Sequence, residues 1–340
     1  MRIGKLTNQE LEEIVLSRLP RLSSRTITGS QVGADCAWLN FGSNLLVAST
    51  DPVTAGGMQS GRLAIHVSCN DIAACGVNPV GILMVIIAPP SVTREELLQI
   101  VDQASETAES LGVDIVGGHT EISDSVTRFV VTTTAFGIVS KSDFVPLGCA
   151  RPGDTLLMTK TAAIEGSWIA AMEHEDRLTS VLTPDQLSGV RGFLSDLSVV
   201  KEGVLAASCP AGDGTINAQG FLHSAVHLMH DVTEGGVFGA AYEMADLSGT
   251  GLILEPDAIP VHPATKEITT ALHLDVMRLI SSGSLLIATP EPEVIMAKLR
   301  ENRIQCTAIG SFIEKGFFTK DRNGDRSLLL PPDVDELYKL

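Results

Sequence analysis

Cys69-Asn70-Asp71-Ile72-Ala73-Ala74-Cys75-Gly76-Val77-Asn78-Pro79 is the stretch on which the fold turns. It reads as the core of a helix carrying one acid, followed by a tight turn. From Gly61 to Pro79 the only formal charges are Arg62 and Asp71. Asp71 sits among Ile65, Val67, Ile72, Ala73 and Ala74, on a segment that is apolar nearly all round. Such a helix is buried. A buried carboxylate is costly unless it is paired or binds a metal. Asp71, beside Asn70, is therefore either a cation ligand or a capping acid satisfied by backbone N–H groups.

Upstream, Gly33-Ala34-Asp35-Cys36-Ala37-Trp38-Leu39 enters a strand, turns at Gly42-Ser43-Asn44, and returns along Leu45 to Thr50 to end at Asp51-Pro52. Asp35 and Asp51 fall at the ends of paired strands, where polar groups meet a ligand. Each also reads as an ordinary turn aspartate. Further upstream, Thr7 to Leu19 is an amphipathic helix with a capping box at Thr7 and Glu10, preceded by a basic arm holding Lys5.

Downstream, Val80 to Ala88 reads as a buried strand, and Ser91 to Gly112 as a helix with Leu97, Ile100, Val101, Ala104 and Ala108 inward. Asp114-Ile115-Val116 is a short strand running into Gly117-Gly118-His119-Thr120-Glu121. Paired glycines after a strand let backbone N–H groups approach an anion. The same residues read equally as a glycine bulge with His119 exposed. No Gly-Lys-Ser/Thr follows, so this is not a Walker loop. A Thr-rich strand closes the region near Val139.

Ser140 to Gly153 has the composition of a junction, and predicts domains at 1–146 and 147–340. Beyond it, His230-Asp231-Val232-Thr233-Glu234-Gly235-Gly236 leads into a helix. An Asp-x-Thr turn with paired glycines at a helix start suits an oxyanion or phosphate. Its other reading is a β–α turn with Asp231 as N-cap. Helices and strands alternate in both halves, as in α/β or α+β architecture.

Composition narrows the partners. The chain has 340 residues and a net charge of −17, which excludes a basic nucleic-acid or anionic-membrane face but suits a nucleotide bound through magnesium. The six cysteines form no C-x-x-C pair, which argues against a zinc site or disulfide framework and fits a reducing cytoplasm. No apolar run reaches the length of a membrane span, and the first twenty residues lack a signal core.

Taken in order, Gly33-Ala34-Asp35-Cys36-Ala37, Ser49-Thr50-Asp51-Pro52-Val53, Asn70-Asp71-Ile72-Ala73-Ala74-Cys75-Gly76, Gly117-Gly118-His119-Thr120 and Asp231-Val232-Thr233-Glu234-Gly235-Gly236 resemble the aminoimidazole ribonucleotide (AIR) synthetase-like, or PurM-like, superfamily. Within it the chain looks most like the HypE-like AIR synthase-related group of hydrogenase expression/formation proteins. The resemblance implies a two-domain α/β (α+β) fold. The N-terminal half would form a β-barrel with a second copy, and ATP would lie in the cleft against a C-terminal α/β domain. By position, Asp35, Asp51, Asp71 and Asp231 would hold Mg2+. They would bind ATP together with Asn70, Gly117, Gly118, His119, Thr120, Thr233, Gly235 and Gly236. His119 is a candidate acid–base group, and Lys5 a candidate for closing over the phosphates.

The implied activity is ATP- and Mg-dependent phosphoryl transfer in a cytoplasmic homodimer, in hydrogenase or metallocofactor maturation. The substrate would be a small molecule or a carrier protein, with no nucleic acid and no membrane involved. Two alternatives stand beside it. One is a small-molecule kinase resembling thiamine-monophosphate kinase or selenophosphate synthetase; the other is a non-catalytic ATP-binding scaffold. The chain departs from the HypE pattern at three places. It ends Tyr338-Lys339-Leu340 without a terminal cysteine, has His119 where an acid is usual, and has Glu234 where an arginine is usual.

Overall fold

The computed structural model describes residues 6–20, 22–54, 57–146, 148–212, 214, 216, 220–331 and 334–340. Thr7 caps α1 (Asn8–Ile14) through a reciprocal capping box with Glu10, as its sequence predicts. The α-helix is shorter than expected, passing into a 3-10 turn at Leu16–Arg18. It buries none of its residues, and its apolar Ile14 and Val15 stay exposed.

The strands β1 (Thr26–Thr28), β2 (Ala37–Asn40), β3 (Asn44–Val53), β4 (Pro79–Ala88), β5 (Asp114–Ile122) and β6 (Val130–Ser140) form one sheet in the order β1-β2-β3-β6-β4-β5. β3 and β6 pair antiparallel from Asn44↔Ser140 to Val53↔Val131. β4 and β5 are parallel and are joined through α3 (Arg94–Leu111), because parallel neighbours need a crossover. α2 (Ser60–Ala74) and α3 cover the inner face. Ile65, Cys69, Ile72, Ala104 and Ala108 pack there on Leu45, Val47, Ile82 and Ala135. The outer face carries exposed Val80, Leu83 and Ile138, so β4 is buried on one side only.

The second half adds β7 (Phe144–Val145), β8 (Thr155–Thr159), β9 (Leu222–His223), β10 (Leu228–Asp231), β11 (Gly251–Leu254), β12 (Leu285–Thr289), β13 (Cys306–Ile313), β14 (Phe317–Lys320) and β15 (Arg326–Leu328). Seven of them form a sheet in the order β10-β12-β8-β13-β11-β14-β15, and β7 pairs with β9. The two-residue period of a strand shows directly in this core. Leu156, Met158, Leu286 and Ala288 face helix Gly236–Leu247, while Leu157, Leu285 and Ile287 face helices Val200–Ala207 and Pro292–Glu301. Continuous apolar strands arise because both faces are covered. No described helix is long and apolar enough to cross a membrane.

α2 joins the two halves. Thirteen of its fifteen residues are buried, as its near-chargeless sequence predicts. Thr133 of β6 donates to Ala64 O at 2.7 Å and meets Ser68 Oγ at 2.5 Å, fixing the helix to the sheet. On its other side the Asn70 amide donates to Leu197 O and accepts from Val199 N–H, both at 2.8 Å. Close approach needs small residues. A Cβ at Gly61 would strike the Ile100 carbonyl of α3, and one at Gly203 would strike the Ala73 carbonyl. Gly203→Ala should push helix Val200–Ala207 off α2 and cost about 1–3 kcal/mol, read as a lower urea midpoint at unchanged m-value.

Candidate functional site

Four acids from four separate segments converge beside the C-terminal half of α2. Asp35 precedes β2, Asp51 lies near the end of β3, Asp71 is in the last turn of α2, and Asp231 ends β10. Ser49, two residues before Asp51 and therefore on the same strand face, donates to Asp71 Oδ2 at 2.6 Å and reaches Asp51 Oδ2 at 3.4 Å. His230 lies between two carboxylates, with Nδ1 2.7 Å from Asp35 Oδ1 and Nε2 3.3 Å from Glu243 Oε2. Asp35, His230 and Asp231 each offer a ligand atom within 4.8 Å of the others.

The cluster is short of positive charge. Burial, then the charges of Asp35 and Asp51, pushes the Asp231 carboxyl up from 3.8 to about 7. Burial, then Asp231 and Asp51, raises Asp71 well above the usual carboxylate range. Burial works to lower the pKa of His230, but Asp35 and Glu243 override it and hold it well above 6.5. One imidazolium does not balance this many carboxylates. Asp231 is 1% exposed, yet its Oδ2 has no hydrogen-bond partner. A buried carboxylate oxygen without a partner is costly, and a hard divalent cation accepts such oxygens. Asp35, Asp51, Asp71 and Asp231 therefore fit magnesium by donor chemistry.

The other expected site residues divide. Gly117, Gly118, His119 and Thr120 do not form a loop. β5 runs on through them to Ile122 in parallel register with β4, with the irregularity of a bulge where Ile82↔Ile115 gives way to Leu83↔Gly117. The glycine at 118 is explained by the Met84 carbonyl, which a Cβ there would strike. The expected anion-cradling loop is thus corrected to an edge strand, the alternative with His119 exposed. Asp51, Thr133, Met84 and Gly118 lie in one row across four strands, so β5 stands about 14 Å from β3 at strand spacing. His119, its side chain 65% exposed, pairs with Glu121 at 3.1 Å instead of joining the acids.

Asn70 is completely buried, and its amide is engaged on both sides by Leu197 and Val199, so it orders the second half of the chain. At the second glycine turn Asp231 is not the cap. Gly235 is, in a left-handed conformation at φ 87°. Its N–H donates at 2.6 Å to the chain's own Asp335. Half-buried Thr233 accepts from Gly236 N–H at 3.2 Å. Lys5 lies outside the described residues. Ser49, His230 and Glu243 were missed by sequence reasoning. For Ser49 the i, i+2 spacing to Asp51 was a usable signal, whereas Glu243 reaches the site only through the packing of its helix.

Two mixed α/β halves, joined through a buried helix with acids from both converging, define a PurM-like protein. The chain belongs to the AIR synthase related protein family: the N-terminal domain of that family matches residues 33–139 and the C-terminal domain residues 151–320. A Methanocaldococcus jannaschii protein whose name places it in hydrogenase expression/formation is 26% identical over 332 residues, covering 94% of this chain and 90% of that one. Carbamoyl dehydratase HypE of Rhodobacter capsulatus is 26% identical over 299 residues, covering 86% and 81%. Among solved structures, a HypE–HypF complex shares the fold at TM-score 0.72 and 22% identity, covering 95% of this chain and 99% of that chain. HypE in complex with ATP does so at TM-score 0.67 and 19% identity, covering 98% and 97%.

A carboxyl whose pKa is higher folded than unfolded costs stability as pH rises from the unfolded value, 3.8 for Asp231, to the folded one, about 7. The raised pKa of His230 acts in the same direction, since its stabilisation is lost as pH climbs through the folded value. Chelator-treated protein should therefore lose Tm between pH 5 and 8, and magnesium should restore more of it at pH 8 than at pH 5. Asp231→Asn should stabilise the metal-free protein at pH 8 by about 1–3 kcal/mol and remove most of the magnesium increment in the same thermal scans.

Proposed function

We propose that this chain is an ATP- and magnesium-dependent phosphoryl-transfer enzyme acting in hydrogenase or metallocofactor maturation. The observation that carries the proposal is the partnerless buried Asp231 oxygen within a cluster of acids whose pKa values are raised. Carboxylates gathered from both halves of a chain make sense around a polyphosphate only with cations between them. Magnesium would supply charge neutralisation on the transferring phosphoryl group. The relatives' names, hydrogenase expression/formation protein and carbamoyl dehydratase HypE, favour an amide-type oxygen on a small or carrier-bound substrate as acceptor.

The chain's own residues prepare the site. Ser49 holds the Asp71 carboxylate in one orientation, and His230, gripped by Glu243, holds Asp35. Asn70 keeps the two halves in register, so that Asp231 stays opposite Asp71. ATP binding followed by titration calorimetry should require magnesium, and Asp71→Asn should weaken it at least tenfold, a loss of about 1.4 kcal/mol or more. Unchanged binding by the variant, or no binding by the wild type, would reject this reading.

We also propose that the N-terminal sheet pairs with a second copy. Its support is the outer face, where Val80, Leu83 and Ile138 are exposed together with Val116 and Ile122 on edge strand β5. Exposed apolar residues on a sheet face beside an uncovered edge strand invite pairing. Ile138→Glu should shift the mass measured by light scattering from dimer to monomer without loss of far-UV ellipticity. A wild-type monomer at micromolar concentration would refute the pairing.

A further inference from the structure

A cleft of about 230 Å³ opens on the far side of Asp35, walled in part by Trp38 and Met229. Three of the six cysteines line it: Cys36, which is buried, Cys75, which is half-buried, and Cys149, which is exposed. Their positions in the sequence give no hint of this grouping. Cys36 and Cys75 are 39 residues apart in the chain, yet both border the cleft, and the Cys75 N–H donates to the Asp71 carbonyl at 3.2 Å. Cys36 Sγ also lies 3.3 Å from the Asp71 carbonyl, which accepts from it. Cys75 is the C-cap residue of α2.

We propose that Cys36 and Cys75 form a reversible dithiol–disulfide couple in this cleft, oxidised by a small-molecule disulfide that enters past Cys149. Two cysteines gathered at one carbonyl and one cleft lie close enough for local adjustment to bring their sulfurs to bonding geometry. The half-buried Cys75 is the one a reagent meets, and Cys36 resolves the mixed disulfide. The thiolate of Cys75 attacks one sulfur of R–S–S–R, forming Cys75–S–S–R and releasing RS⁻. Cys36 then gives its proton to a released thiolate and attacks the Cys75 sulfur, expelling the second RS⁻. The two protein thiols are oxidised and one R–S–S–R is reduced to two R–SH. Reversible pairs of this kind are the form that cysteine oxidation takes in reducing compartments.

The bond would tie the segment carrying Asp35 to the end of the helix carrying Asp71. It does not depend on whether that acid cluster binds ATP, and the test is independent of ATP.

The full chain is incubated with oxidised glutathione, the remaining thiols are alkylated in denaturant, and peptides are mapped by mass spectrometry. A Cys36–Cys75 crosslinked peptide is expected, lost on treatment with dithiothreitol and still formed in Cys149→Ser. Cys75→Ser should leave Cys36 fully alkylatable, and Cys36→Ala should trap glutathione on Cys75. Recovery of Cys36 and Cys75 as free thiols in the wild type, while Cys149 carries glutathione, would overturn the proposal. So would a Cys75–Cys149 crosslink in place of Cys36–Cys75. The decisive measurement uses the wild type, so it stands even where a variant fails to fold.

Discussion

Everything in this molecule depends on how closely other backbones approach α2. A helix walled in on several sides has room for neighbours only where side chains are missing, and Gly61 and Gly203 supply those gaps against α3 and helix Val200–Ala207. Hydrogen bonds then fix what packing alone would leave free to slide. Thr133 holds the helix to the first sheet, and Asn70 holds it to the chain at Leu197 and Val199. The cost of burying an acid on such a helix is the reverse side of this arrangement. Asp71 is carried to the boundary between the two halves because the helix that bears it is the boundary.

The acid cluster shows what it takes to keep several buried carboxylates close together. The protein compensates partly with His230, whose charge is stabilised by Asp35 and Glu243, and with the Ser49 hydroxyl on Asp71. These groups leave one oxygen of Asp231 without a partner. Buried polar groups left in that condition mark either strain or a ligand. The donor set here, carboxylate oxygens contributed from separate segments, is that of a hard divalent ion.

Much of this was legible in the sequence because it rests on local physics. The near absence of charge from Gly61 to Pro79 reports a buried helix, and the capping box at Thr7 reports a helix start. What failed was of two kinds. Paired glycines at 117 and 118 carry the same letters whether they open a loop or let an edge strand lie against the Met84 carbonyl, and only sheet pairing separates the two. The Asn70 amide looked like a ligand group because its partners, Leu197 and Val199, lie more than a hundred residues away. Long-range hydrogen bonds leave no local pattern to read. The sequence order of motifs carried the resemblance, whereas the geometry assigned each group its neighbour.

Asp335 gives the glycine turn at 235 a built-in rival. Its Oδ2 accepts from Gly235 N–H, while Oδ1 accepts from the N–H groups of Ile280 and Leu337. A carboxylate on the same chain is present at an effective concentration on the order of millimolar or higher. Any dissolved anion seeking the Gly235 N–H must match that standing concentration or arrive tethered to something bound elsewhere in the cleft. Free phosphate would thereby be disfavoured, and a phosphate attached to a larger anchored ligand would not. A turn closed in this way would discriminate by connectivity, between anions that come alone and anions that come with a handle.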